Sequence, residues 1–130
     1  MLKLFEVSGF KNFKDKITLD FSDVRDYKFN SECVTNGLIS KAIIYGKNSV
    51  GKTNFGLAVF DIVSHLSTKN VTPGLYDYYL NVASLDDFAE FHYQFLFGTD
   101  CIDYSYRKDD KQTLIYEKLQ LNGSTLFEFD

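Results

Sequence analysis

The 130-residue sequence has no tryptophan, a single proline, two cysteines and two histidines. Cys33 and Cys101 belong to no C-x-x-C spacing, and His65 and His92 stand alone, so the pattern contains neither zinc-ligand spacing nor a disulfide framework. Two unpaired thiols fit a reducing cytosol. Long apolar runs are missing too: nothing approaches the ~18 residues of a membrane span. The opening MLKLFEVSGF also lacks the apolar core and small-residue cleavage site of a secretory leader. These absences imply a soluble, cytoplasmic protein with no membrane partner. Nor is there an excess of positive charge. The formal net charge of −4 creates no global field for nucleic acid, and only Lys11, Lys14 and Lys16 form a local basic cluster. A solvated turn is the simpler account of those lysines; contact with nucleotide or DNA is the functional one.

What is present is aromatic. Nine tyrosines and thirteen phenylalanines point to sheets with an aromatic-rich face, in a chain of single-domain size. Apolar and polar residues alternate over 2–21, interrupted by NFKDK, which predicts a β-hairpin. Residues 22–40 show no sustained period and read as a loop. KAIIY, at 41–45, is a short β-branched apolar run suited to a buried strand. From Thr53 the period becomes helical: Phe55, Ala58, Val59, Ile62 and Leu66 share one face, widened by Phe60 and Val63. Asn54, Asp61, His65 and Thr68 form a polar stripe, and Pro73 with Gly74 closes the helical region. Residues 88–129 read as an antiparallel meander. Ala89, Phe91, Tyr93, Phe95 and Phe97 lie on one face as core, His92 lies on the polar face, and Asn122-Gly123 makes a tight hairpin turn.

Between the buried strand and the helix lies YGKNSVGKTNF. Gly46, Lys47, Asn48, Ser49, Val50, Gly51, Lys52 and Thr53 fit G-x-x-x-x-G-K-[S/T], the P-loop or Walker A pattern. The chemistry needs these residue types. Glycines admit backbone geometry that lets successive N–H groups face phosphate oxygens, and the helix beginning near Lys52 adds its positive end. Lys52 reaches the β/γ-phosphates and the Thr53 hydroxyl ligates Mg²⁺; Asn54 follows as the last cradle residue. By chance the pattern would arise in roughly one of a few hundred chains of this length, and a matching strand and helix make chance rarer. The sequence therefore predicts a site for ATP and Mg²⁺.

A hydrolase also needs an acidic residue after an apolar strand beside the P-loop strand. LAVFD, ending at Asp61, matches in letters, but it falls inside the predicted P-loop helix with no room for a crossover. LFEFD, at 126–130, follows a hairpin turn and carries a charge within the run. No catalytic residue is therefore assigned. The absence of N-K-x-D argues against a GTPase, and the absence of repeating β-α units against a small-molecule kinase.

The hairpin VSGFKNFKDKITLDF, the run KAIIY, the loop YGKNSVGKTNF, a helix and a meander follow in an order that resembles the first lobe of ABC-type ATPases of the SMC/OLD-like group. The likeness is closest to bacterial AAA-type ATP-binding proteins, many linked to abortive infection and phage defence. It spans essentially the whole chain, with the Walker A and the GFKNF hairpin as its specific parts. It implies an α/β P-loop NTPase lobe, with N-terminal hairpin, P-loop strand and helix, and antiparallel meander. In the family the hairpin's basic residue approaches the nucleotide; here that residue is Lys11, and Gly9 stands where asparagine is usual. Family members add a C-terminal lobe with signature motif and Walker B, and sandwich ATP between two protomers. Neither motif is found in 1–130, so the chain reads as a single, partial ATP-binding domain. The implied partners are nucleotide, a second copy in the full-length protein, and an effector protein or nucleic acid. The chain alone is expected to bind nucleotide without significant turnover. A non-catalytic nucleotide-sensing or scaffold module and a direct nucleic-acid-binding domain are the alternatives.

Overall fold

Alternating residues at the N-terminus form β1 (Leu2–Ser8) and β2 (Ile17–Asp20), paired antiparallel with Phe5 opposite Leu19 and Val7 opposite Ile17. This hairpin is as the sequence predicts. The computed structural model describes residues 1–26, 28–49, 51–67 and 74–130; Val50, Thr68 and Pro73 lie outside them. The expected 22–40 loop contains a minimal hairpin of its own, β3 (Val34–Thr35) and β4 (Leu38–Ile39). It turns on Asn36 and Gly37, both at positive φ.

Helix α1 (Lys52–Leu66) follows, and then the meander: β5 (Ala89–Phe97), β6 (Asp100–Lys108), β7 (Leu114–Leu121) and β8 (Ser124–Phe129). The two strand groups merge into one antiparallel sheet, β2-β1-β5-β6-β7-β8, because β1 pairs with β5. Asn122 and Gly123 both have positive φ, 50° and 81°, with Leu121 opposite Ser124. That is the two-residue turn whose twist matches its strands.

One sheet face carries α1. Phe5, Val7, Ala89, Phe91, Tyr93 and Tyr106 are buried there with Ala58 of the helix, and Phe55 and Ile62 pack at the margin. Phe5 meets Phe55 edge-on at 6.1 Å, and Tyr93 donates its hydroxyl to the Ala58 carbonyl at 3.0 Å. The face expected of Phe91 and Tyr93 is thus the core face. His92 lies on the opposite, polar face, its ring nitrogens 3.0 Å from Glu6 and 2.9 Å from Asp103.

The helix is rotated from its expected setting. Asp61, assigned to a polar stripe, is 1% exposed, whereas Phe60, Val63 and Leu66 face outward. The reason is pairing: Asp61 accepts from Tyr79 at 2.9 Å, Tyr106 at 2.8 Å and Lys108 at 2.9 Å, so its charge is compensated inside the core. His65 is likewise not an exposed helix residue. It stacks on Tyr106 with ring centroids 4.2 Å apart.

The fold class also differs from expectation. An α/β arrangement with KAIIY as a buried strand was implied, yet residues 41–46 carry no strand, and Ile43 and Tyr45 are 88% and 90% exposed. Among the described residues every strand pairing is antiparallel, and none reaches that run. A strand exists only by its ladder; with no neighbour, the β-branched run stays unpaired. Among the described residues the chain is mostly antiparallel sheet with one α-helix.

Candidate functional site

The glycine-bracketed segment runs into α1 at Gly51, and its geometry follows from residues placed at unusual backbone angles. Ser49 has φ 69° and Gly51, the helix N-cap, φ 94°. Gly51 tolerates this region without the steric cost of a side chain. The Gly51 carbonyl accepts the Phe55 N–H at 2.8 Å, which opens the helix ladder. Lys52 folds back over the loop, donating to the carbonyls of Gly46 at 2.8 Å and Lys47 at 2.6 Å. An ammonium has three donors, so one is left after these two bonds.

Beside the loop is a cleft of about 300 Å³ lined by Asn48, Ser49, Gly51, Lys52, Thr53 and Asn54, with Asn12 of the β1–β2 turn closing one side. Six of the predicted cradle residues therefore share one cavity, and Thr53 is exposed to it. Gly46 and Lys47 contribute through the carbonyls that hold Lys52. No carboxylate lines the cleft among the described residues. Its side chains offer one cation, hydroxyls and amides at the positive end of a helix, a donor set suited to phosphate oxygens. A magnesium ion held by one protein hydroxyl, with the rest of its shell from phosphates and water, also fits such a site.

Lys11 does not join this cleft. With φ 47°, it turns its ammonium to the Asp77 carbonyl at 2.8 Å, where burial lowers its pKa against the opposing pull of Asp77. Asn12 is the hairpin residue at the P-loop, and the sequence reading missed it. Its signal was weak: an asparagine in a tight turn is ordinarily explained by turn chemistry alone. A larger cavity, about 440 Å³, lies near Tyr76, Tyr79 and Lys111. Its charges are satisfied locally, since Lys111 pairs with Asp77 at 2.9 Å and Asp110 accepts the N–H groups of Gln112 and Thr113. It offers no comparable donor set.

Behind the cleft, α1 is fixed to the sheet by the Asp61 cluster and by His65. Tyr104 donates to Glu117, so the His65 Nε2, 2.7 Å from the same hydroxyl, carries the proton and donates to it. Burial, then the neighbouring Lys108 charge, lowers the His65 pKa and keeps the ring neutral. Burial raises the hydroxyl pKa values of Tyr79 and Tyr106 strongly, with Asp61 adding to it, so both remain donors. Asp61 is thus a buried anchor between α1 and the sheet.

The sequence model of the family described as "AAA domain, putative AbiEii toxin, Type IV TA system" matches residues 41–129. The match takes in the run before the P-loop, α1 and the whole meander. No curated protein matches the chain.

Proposed function

The chain belongs to this AAA-domain family, and from that premise we propose that it is the ATP- and Mg²⁺-binding lobe of an ABC/SMC-like ATPase. The observation that carries the reading is the donor-lined cleft at 48–54, with Lys52 drawn across the loop carbonyls. Lys52 would neutralise the β/γ-phosphates, the Thr53 hydroxyl would hold Mg²⁺, and the loop from Gly46 to Asn54 would surround the phosphates. The ion, held through Thr53, would supply charge neutralisation at the phosphates alongside Lys52. In the complete protein, nucleotide would drive dimerisation and control an effector, in a setting of phage defence in the cytoplasm.

The unpaired run 41–45 favours this wider architecture. It is apolar from Ala42 to Ile44 and sits directly before the loop, as a strand would in a sheet completed by a second lobe carrying the signature motif and Walker B. That no carboxylate lines the cleft among the described residues favours binding without turnover by this chain alone. A nucleic-acid role has less support: Lys11 is engaged at Asp77, and Lys16 lies 3.8 Å from Glu6.

Titrating MgATP and metal-free ATP into wild type and Thr53→Val tests the site. Wild type should prefer MgATP and Thr53→Val should lose that preference. An Mg²⁺ preference unchanged by the substitution contradicts the assignment of Thr53.

A further inference from the structure

We propose that Asn12 is a phosphate-binding residue of this site, supplying from the β1–β2 turn a side-chain amide donor in addition to those of residues 48–54. The inference rests on the reading of the cleft as a phosphate site. Four features fix Asn12 in place before any ligand arrives. Phe10 is fully buried, the Lys11 N–H donates to the Tyr79 carbonyl at 2.9 Å, and the Phe13 N–H donates to the Phe10 carbonyl at 2.8 Å. The Asn81 side-chain amide donates to the Lys11 carbonyl at 2.6 Å. Left-handed Lys11 then sends consecutive side chains apart, Lys11 to Asp77 and Asn12 to the start of α1.

At α1 the Asn12 amide lies directly on Gly51. A Cβ at position 51 would stand 2.3 Å from Asn12 Nδ2, so glycine there serves the hairpin contact as well as the backbone turn. Asn54 Nδ2 donates to Asn12 Oδ1 at 2.8 Å. The oxygen is therefore engaged, and the Nδ2 donors are turned to the N-cap and the cleft beside Lys52 and Thr53. Pre-positioned N–H donors against a polyanion form charge-assisted bonds. Binding through Asn12 would also tie the hairpin to the P-loop helix whenever phosphate is held.

The test uses the chain with Asn12→Ala, Asn12→Asp and Lys52→Ala, each titrated with MgATP, MgADP and AMP, alongside thermal unfolding without nucleotide. Asn12→Ala should weaken MgATP binding about tenfold, as expected for loss of one hydrogen bond to a charged group. Asn12→Asp, nearly isosteric, should weaken it further, and the penalty should shrink from ATP to ADP to AMP as charge is removed. A merely structural role would instead weaken all three nucleotides alike and make the two variants equivalent; that result overturns the proposal. If Lys52→Ala loses binding while both Asn12 variants bind as wild type, the Asn12 inference fails and the cradle stands. If Lys52→Ala binds as wild type, or wild type binds none of the three, the cradle reading itself fails.

Discussion

Lys108 on β6 donates to Asp61 on α1 at 2.9 Å, with the two side chains 2% and 1% exposed. This ion pair lies inside the core, between the P-loop helix and the sheet, and the carboxylate also receives the hydroxyls of Tyr79 and Tyr106. The two partners are not equivalent. Asp61→Ala takes the shared acceptor from a buried ammonium and two hydroxyls, and should cost about 3–5 kcal/mol. Lys108→Met leaves a carboxylate that still has two hydroxyl donors, and should cost less. Urea unfolding of both variants checks the order; an equal or reversed cost contradicts it.

Two glycines at positive φ separate backbone strain from collision. Gly123, φ 81°, has open space around a would-be Cβ, whereas at Gly9, φ 69°, a Cβ would stand 2.3 Å from the Phe88 carbonyl oxygen. Gly123→Ala should therefore cost only the left-handed penalty, about 1–2 kcal/mol. Gly9→Ala should cost more, because backbone must shift. Equal losses in denaturant unfolding would refute the close approach of the hairpin to the β5 entry.

The meander was legible because period-two alternation and Asn122-Gly123 are local signals, and the helix because its apolar period is local too. What escaped depends on distant partners. Asp61 looks like a solvent-facing helix residue until Lys108, 47 positions away, is brought beneath it. KAIIY has the composition of a strand, but composition supplies no neighbour to pair with. Within the candidate site, Asn48, Ser49, Gly51, Lys52, Thr53 and Asn54, which line one cleft, all fall in or beside the glycine-bracketed pattern read from the sequence. Asn12 was not, since only the folded hairpin lays its amide on Gly51.

His65 should make stability pH-dependent. Its pKa is held below the ordinary 6.5 by burial first and by Lys108 next, while Glu117 and Asp61 pull the other way. A depressed folded pKa means that the unfolded chain takes up the proton first as pH falls. The stabilisation is complete above the ordinary value and is lost as pH drops through it toward the folded pKa. Unfolding free energy should decline as pH falls through the ordinary 6.5 in wild type and decline less in His65→Gln. Parallel profiles would remove His65 as the cause.

The chain alone should not turn over ATP. Binding phosphate stabilises substrate and transition state together unless another group positions the attacking water, and no carboxylate lines the cleft among the described residues. Phosphate release should be indistinguishable between wild type and Lys52→Ala. Lys52-dependent turnover of ~1 s⁻¹ or more, an ordinary enzyme rate, would contradict this.

The most direct test of the nucleotide site is calorimetric titration of MgATP into wild type and Lys52→Ala. Lys52 spans the Gly46 and Lys47 carbonyls at 2.8 and 2.6 Å, and its removal takes the cation from the phosphates and the clasp from the loop. Wild type should bind weakly, and the variant should lose about 1.5–3 kcal/mol, the worth of a charge-assisted contact, which places it beyond detection. Equal affinity in the two proteins would contradict the account.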